Sequence, residues 1–290
     1  MMTTFGWKPS FRFGLRPQTG PRRVAIIVRH EQHLTVVEGV RRGRHWSMTR
    51  AVRIARQADS EAAQEPDSVG LWLKKELSSA GITAKHVILA MPRAGAVLKH
   101  LELPVANETE LPALVWLQAE ARGAGSLADG DIDFLPLPSH RSQVDAMPQI
   151  LLVSLPHKIL SAPVAALRSA GLTVVAATVS TLGLAALDSL TPRDHVGIAD
   201  GLHLVVAGDD EQFDLTLSRQ RTPIASQTIH CDTQDAATTA QQLESAAARM
   251  IAALPAELSD GGLSSVMILA APKADELQLA LRTRMNVDVR

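Results

Sequence analysis

Two histidines near the N-terminus have a spacing that could hold a metal ion. His30 and His33 stand three residues apart with Glu31 between them, which places two imidazoles and a carboxylate within one short segment. A zinc site needs a third or fourth ligand close by, or the H-E-x-x-H pattern on a helix, and the sequence offers neither. We therefore predict a solvated turn between two strands here rather than a metal site.

A second acidic cluster, Asp129-x-Asp131-x-Asp133, is spaced like the opening of a calcium-binding loop. Such a loop needs a glycine at its sixth position and a bidentate glutamate at its twelfth, because the chain must turn sharply and then surround the ion. Phe134 and His140 occupy those two positions. The pattern therefore predicts a polar surface turn.

The sequence contains none of the common catalytic patterns. Gly123 and Gly125 are followed by no Gly-Lys-Ser/Thr, no G-x-S-x-G elbow occurs, and the ten histidines are scattered without a partnered nucleophile. The single Cys231 predicts a buried, inert thiol and fits a reducing compartment. Aromatic residues make up only 3% of the chain, without tyrosine, which argues against platforms for stacking nucleic-acid bases.

The elements that would position any site alternate between strands and helices, so the predicted fold class is α/β. A length of 290 residues is consistent with one large or two moderate domains. We find neither a secretory signal nor an apolar run that would span a bilayer. The segments Ser79–Thr83 and Ser169–Thr173 are nearly identical, and each follows a predicted helix and precedes a buried strand, which suggests an internal duplication.

Charge is distributed unevenly along the chain. Residues 1–56 carry 12 basic and 2 acidic side chains, a net charge of +10, whereas the remainder carries −11. Such asymmetry can attract an acidic partner, an anionic lipid or nucleic acid to one face. The two halves can equally complement each other within the fold, and the sequence leaves both interpretations open.

Six short motifs between Val87 and Ala185 follow one another in the order typical of the PilM/GspL branch of the actin-like superfamily, the cytoplasmic proteins of type IV pilus and type II secretion machines. They are Met91-Pro92-Arg93, Leu103-Pro104, Leu117-Gln118-Ala119-Glu120, Asp131-Ile132-Asp133-Phe134, Ile150-Leu151-Leu152-Val153 and Ala170-Gly171-Leu172. The chain resembles this family over roughly Arg23 to Val289.

The resemblance implies the actin-like ATPase fold, with two ribonuclease H-like lobes built on mixed five-stranded sheets and a nucleotide cleft between them. It places an irregular basic and aromatic arm at residues 1–22 and a first lobe at 23–190. A subdomain is inserted in that lobe at about 87–155, and a second, shortened lobe occupies 191–290.

ATP-binding members of the family have two D-x-G turns, in which a bare backbone approaches phosphate and the aspartate positions the metal. The positions that align with these turns and with the glycine pair beside the adenosine are Ile27, Arg29, Val206, Gly208, Ala271 and Pro272. Only Gly208 keeps the expected residue, although Asp209 and Asp210 follow it. The resemblance therefore implies a degenerate site that holds no cofactor; ATP with Mg²⁺ fits only if this alignment is wrong.

As a function, the resemblance implies a non-catalytic cytoplasmic scaffold at the inner membrane, reached through the cytoplasmic tail of a membrane-anchored PilN-like partner. The residues predicted to contact that partner are Arg22, Arg23, Arg41, Arg42, Arg44 and Arg93. Self-association stays open. One alternative is a working actin-like ATPase of the same machinery; a further one is a nucleic-acid-binding protein that uses the basic N-terminal region, although nucleic acid is the less favoured partner.

Overall fold

The computed structural model describes residues 21–30, 33–43, 45–56, 65–104, 107, 109–121, 130–137, 148–187, 201–208, 212–220, 222–231, 235–269, 271 and 273–290. The predicted arm at 1–22 therefore lies almost entirely outside the described residues. Among the helices within these ranges, none combines the length and the apolar character needed to cross a membrane.

The first sheet is mixed and has five strands in the order β3-β2-β1-β4-β8. These strands are β1 (Arg23–Arg29), β2 (His33–Arg42), β3 (His45–Ala55), β4 (His86–Met91) and β8 (Thr173–Val179). The first three form an antiparallel meander, whereas β4 and β8 run parallel to β1. Two helices that precede the parallel strands, α1 (Pro66–Ser79) and α3 (His157–Ser169), pack against each other.

The contact between α1 and α3 depends on a missing side chain. A Cβ atom at Gly70 would lie 2.5 Å from the Cβ of Ser169 and 2.7 Å from the carbonyl oxygen of Ala166. Both helices then end in the same way, because Gly81 and Gly171 adopt φ values of 69° and 80°, which only glycine adopts without cost.

The second sheet repeats the first with the order β11-β10-β9-β12-β13. Its strands are β9 (Leu202–Gly208), β10 (Gln212–Arg219), β11 (Thr222–His230), β12 (Leu263–Leu269) and β13 (Asp288–Val289). Again the first three are antiparallel and the last two join in parallel. The helices α5 (Ala236–Ala252) and α7 (Ala274–Met285) pack together as α1 and α3 do, and the short α6 (Ala256–Ser259) follows α5.

The remaining strands and α2 lie inside the first repeat in the chain, between β4 and β8. A three-stranded sheet of order β5-β7-β6 is built from β5 (Val97–Glu102), β6 (Gly130–Pro136) and β7 (Gln149–Pro156), with α2 (Leu111–Ala121) between its first two strands. The helix α4 (Ser180–Leu187) connects β8 to the second repeat.

The chain divides into two compact units. The first comprises the described parts of Met1–Ala96, Ala124–Asp133 and Ser154–Val179. The second comprises those of Val97–Gly123, Phe134–Val153 and Ser180–Arg290. Each unit holds one five-stranded sheet, which confirms the predicted duplicated α/β architecture.

The near-identical segments at 79–83 and 169–173 do not mark that duplication. Both belong to the first unit, where they form the turns from α1 to β4 and from α3 to β8. Their similarity reflects a shared helix end: the amides of Ile82 and Leu172 each donate to a carbonyl five residues back, those of Leu77 and Leu167. The actual repeat relates β1 through β8 to β9 through β13.

Candidate functional site

The position aligned with the first metal-binding aspartate lies inside a sheet. Ile27 is buried in β1, opposite Val36 of β2 and Leu89 of β4. An aliphatic side chain in this place fills the core and offers no oxygen to a hydrated cation. Arg29 ends the same strand half-buried, and burial together with the neighbouring Arg56 guanidinium lowers the pKa of Arg29.

The second aligned turn is packed in the same way. Val206 is fully buried in β9 between Leu215 and Ile268. Gly208, the one retained glycine, is explained by its own hairpin, since a Cβ atom there would collide with the ring of Phe213 and approach the carbonyl oxygen of Gln212 to 2.8 Å. The ring of Phe213 and the carbonyl of Gln212 therefore fill the space beside Gly208.

The third aligned position follows β12. Ala271 is half-buried, and Pro272, like Asp209 and Asp210, lies outside the described residues. In the part of the chain that the structure describes, no group of three His, Cys, Asp or Glu side chains could hold a metal ion. The described residues at the aligned positions therefore do not fit a magnesium-bound phosphate, which needs carboxylate oxygen near the ion and free backbone amides.

The two metal-like sequence clusters are occupied by other interactions. The rings of His30 and His33 stack with centroids 4.2 Å apart, and Glu31 lies outside the described residues. Asp131 faces the imidazole of His157 at 3.4 Å, at the start of α3.

The buried Cys231 has a pKa raised by burial, which keeps its thiol protonated.

Three of the six predicted partner-binding arginines are brought together. The amide of Arg41 donates to the carbonyl oxygen of Arg22 at 2.7 Å, and Arg42 follows at the end of β2 opposite His45. We call Arg22, Arg41 and Arg42 the basic corner. Arg44 lies outside the described residues.

Arg23 and Arg93 make contacts within the fold. Arg23 donates to the carboxylate of the buried Glu38 at 3.1 Å and to the hydroxyl of Thr83 at 2.6 Å. Arg93 donates to the carbonyl oxygen of Ala96 at 2.7 Å, across its own short 3₁₀ turn. The structure therefore gives each of these side chains a local structural role.

Glu38 is a buried residue that stabilises the fold, and the sequence analysis did not identify it. Its carboxylate accepts from the amides of Thr83 and Ala84 at 2.7 Å each and from the hydroxyl of Thr49 at 3.1 Å. Burial by itself raises the pKa of Glu38, but these hydrogen bonds outweigh it and hold the pKa below its usual value. The group fastens β2 to the turn that precedes β4.

Known structures resemble this chain along most of its length. The structure of a PilM–PilN type IV pilus biogenesis complex superposes with a TM-score of 0.70 at 18% identity, covering 93% of this chain and 88% of the other. The chain has the actin-like fold. This confirms the predicted resemblance at the level of the fold.

Two further solved structures resemble the chain at lower identity. A protein of unknown function with an actin-like ATPase fold from Bacteroides thetaiotaomicron gives a TM-score of 0.51 at 8% identity, covering 92% and 90% of the two chains. The cytoplasmic domain of EpsL, an inner-membrane component of the Vibrio cholerae type II secretion system, gives 0.49 at 14%, covering 86% and 82%. No protein-family profile and no curated protein sequence matches the chain.

This PilM-like fold exposes two apolar surfaces that the sequence analysis did not anticipate. The first is one face of the first sheet, opposite the buried face that carries Ile27 and Val36. We call it the outer face and define it by Ile26, Val37, Trp46, Met48 and Ile88, which the strand register places on the same side. Three of these side chains are among the exposed large hydrophobics: Ile26, Trp46 and Met48.

The second exposed surface is a stripe along α2. Val115 and Ala119 are buried, whereas Trp116 and Leu117 are exposed together with Pro112. Leu117 is 60% exposed, so it lies on a different side of the helix from Val115. Because α2 is apolar almost all round, its periodicity could not select the buried side.

Proposed function

We propose that this protein is a non-catalytic scaffold of a type IV pilus or type II secretion-like assembly platform, located in the cytoplasm beside the inner membrane. It binds the cytoplasmic tail of a membrane-anchored PilN-like protein. The observation that carries the proposal is the similarity, over 93% of this chain, to the structure of a PilM–PilN complex. The tail is proposed to contact the basic corner.

The non-catalytic part of the proposal is supported by three aligned positions. Ile27 and Val206 stand where metal-binding carboxylates are expected, and both are buried. Phe213 fills the space beside Gly208. The protein therefore holds its partner without using a nucleotide as a switch.

We expect a neighbouring gene to encode the PilN-like partner, with a short cytoplasmic tail, a single membrane span and a periplasmic coil, and binding is tested with that protein. A synthetic, fluorescently labelled peptide of its tail is titrated with the full chain, and fluorescence anisotropy is measured. We expect saturable binding that Arg42→Glu weakens about tenfold. Arg168→Glu is the matched control, because Arg168 is also exposed but lies on α3, away from the basic corner in sequence. Binding that ignores both changes contradicts the proposed contact, and no binding contradicts the partner.

The absence of nucleotide binding is tested separately by isothermal titration of the full chain with Mg-ATP. We expect no saturable heat at millimolar nucleotide. Micromolar binding would overturn the non-catalytic reading and favour the working ATPase of the same machinery. The same titration of the Val206→Asp variant tests whether one carboxylate restores nucleotide binding. We expect the substitution to destabilise the second unit instead.

A further inference from the structure

The outer face of the first sheet is apolar where a free surface is normally polar. The sequence of β1 reads Val24-Ala25-Ile26-Ile27-Val28, the kind of continuous apolar run found in strands buried on both faces. Yet the side chain of Ile26 is 40% exposed, and those of Trp46 and Met48 are 44% and 71% exposed. The ring of Trp46 lies over Gly39, where a Cβ atom would approach it to 3.4 Å. A contiguous apolar patch of this kind marks an interaction site.

The second sheet shows what covers the equivalent face. There α4 lies against β9, β10 and β11. Its Thr181 hydroxyl is 3.2 Å from that of Ser226, and its Ser180 hydroxyl donates to the carboxylate of Asp214 at 3.4 Å. Val205, the fourth residue of β9 as Ile26 is the fourth of β1, projects on that face and is 1% exposed. In this fold, therefore, the outer face of a five-stranded sheet accepts a helix.

The charges on the outer face of the first sheet select among possible occupants. The strand register places Arg41 and Arg53 on this face, beside Trp46 and Ala51. Among the described residues of the face there is no carboxylate. An occupant with acidic side chains along its rim would gain from the exposed guanidinium group of Arg53, whereas a basic occupant would be repelled.

We propose that the outer face is a docking site for an amphipathic helix of a partner protein, with an apolar side on Ile26, Trp46 and Met48 and acidic residues toward Arg53. A second copy docked face to face fits poorly, because its own outer face would present like charges. Residues 1–20 fit poorly for the same reason, since they contain Lys8, Arg12 and Arg16 and no acidic residue. The inference does not rest on the proposed scaffold function.

A synthetic 18-residue helical peptide, with leucine and alanine on one side and glutamate on the other, is the probe. It is labelled with fluorescein and titrated with the full chain at low salt; a second peptide carries lysine in place of glutamate. We expect saturable binding of the glutamate peptide, and at least tenfold weaker binding of the lysine peptide. Added salt should weaken the binding of the glutamate peptide.

The variants locate the binding on the outer face. Met48→Glu should weaken binding of the glutamate peptide at least tenfold, and Arg53→Glu should weaken it about fivefold. Leu71→Glu, on α1 of the same unit and 67% exposed, is the matched control and should leave binding unchanged. Circular dichroism checks that each variant folds. Met48 and Arg53 are both exposed on the outer face, so each substitution tests the same surface. If one variant fails to fold, the other still decides the outcome.

Several results would overturn the inference. These are equal binding of both peptides, no binding of either, or the same loss with Leu71→Glu as with Met48→Glu. Sedimentation that shows a wild-type dimer broken by Met48→Glu would identify a second copy as the occupant. Peptide binding that appears only after Phe11→Ser and Phe13→Ser would identify the N-terminal segment. The tail-peptide titration described above uses different variants, so the two proposals can fail independently.

Discussion

The two five-stranded sheets share one strand order but bury their surfaces differently. In the second sheet, residues on both sides of β10 are inaccessible, with Leu215 on one side and Thr216 on the other. In the first sheet the equivalent strand β2 alternates, so that Val36 is buried while its neighbour Val37 is half-buried. The difference lies in what covers the sheet, because α4 lies on the outer face of the second one.

The buried faces also differ at one equivalent position. Ala25 of β1 is opposite Glu38, and Leu204, the matching residue of β9, is opposite Leu217. The Glu38 carboxylate, which accepts several hydrogen bonds, thus occupies in the first sheet the position that Leu217 occupies in the second. The comparison teaches that the shared topology tolerates two solutions: apolar packing alone, or packing fastened by a buried, satisfied charge.

The largest expected effect comes from introducing aspartate at the matching positions Ile26 and Val205. Val205→Asp should destabilise the second unit by about 3–5 kcal/mol, because a carboxylate would be buried under α4 without a partner. Ile26→Asp should cost about 1 kcal/mol or less, since water reaches the side chain. Hydrogen exchange resolved by mass spectrometry reports on each unit separately. Equal losses at the two positions would mean that the outer face of the first sheet is covered in solution.

Much of this comparison could be predicted from the sequence, because it depends on local patterns. The Gly208-Asp209-Asp210 sequence is typical of a hairpin turn, and the apolar runs of β1, β4 and β12 are typical of buried strands. Helix α5 begins after Asp235, whose carboxylate accepts from the amides of Ala237 and Thr238 at 3.2 and 2.9 Å. The α/β class and the actin-like fold are confirmed.

The third strand of each meander was missed. In β3, arginines and apolar residues are both exposed, so the strand lacks the alternation of apolar and polar residues that identifies a half-buried edge strand. The candidate site was only partly predictable for a similar reason. The aligned positions identify Val206 as aliphatic, but only the cross-strand packing of Phe213 explains why Gly208 is retained. The pairing of Arg23 with Glu38 likewise depends on strand register, which no local pattern fixes.

The second prediction concerns acid sensitivity, which should be confined to the first unit. Because the pKa of Glu38 is lowered in the folded state, its stabilisation is present above the ordinary carboxyl value of 4.5 and is lost as pH falls through the folded value. At pH 7, Glu38→Gln should cost about 1.5–3 kcal/mol through lost charged hydrogen bonds. The difference between wild type and variant should shrink as the pH falls toward 3.

Exchange protection of β2 and β10, corrected for intrinsic rates, measures this effect in both units. The control is Asp235→Asn in the second unit, where hydrogen bonds from the Thr238 hydroxyl, its amide and the Ala237 amide lower the pKa of the native aspartate. Asparagine caps a helix as well as aspartate does, so little change is expected. A loss in β10 equal to that in β2 would contradict the assignment of the acid effect to Glu38.

The third prediction separates packing from nucleotide binding at the retained glycine. Gly208→Ala should cost about 1–3 kcal/mol, because the new methyl group overpacks against the Phe213 ring. Adding Phe213→Leu to this variant should recover part of the loss. The matching seventh residue of β1 is Arg29, which shows that the hairpin of the first sheet does not require glycine there. Urea unfolding of the second unit measures both effects; a neutral Gly208→Ala would contradict the packing argument.

The smallest expected effects come from two glycines that have open space around the missing Cβ, so only backbone conformation decides the outcome. Gly171 has φ 80° at the end of α3, and Gly171→Ala should destabilise the first unit by about 1 kcal/mol. Gly183 lies on the exposed side of α4 without a positive φ, and Gly183→Ala should stabilise that helix by up to about 1 kcal/mol. Because α4 covers the outer face of the second sheet, the gain should appear as slower exchange in α4 and β9, with β1 unchanged. Slower exchange in β1 as well would show that the two sheets are not stabilised independently, and the contrast between a covered and an uncovered sheet would then no longer explain their different burial.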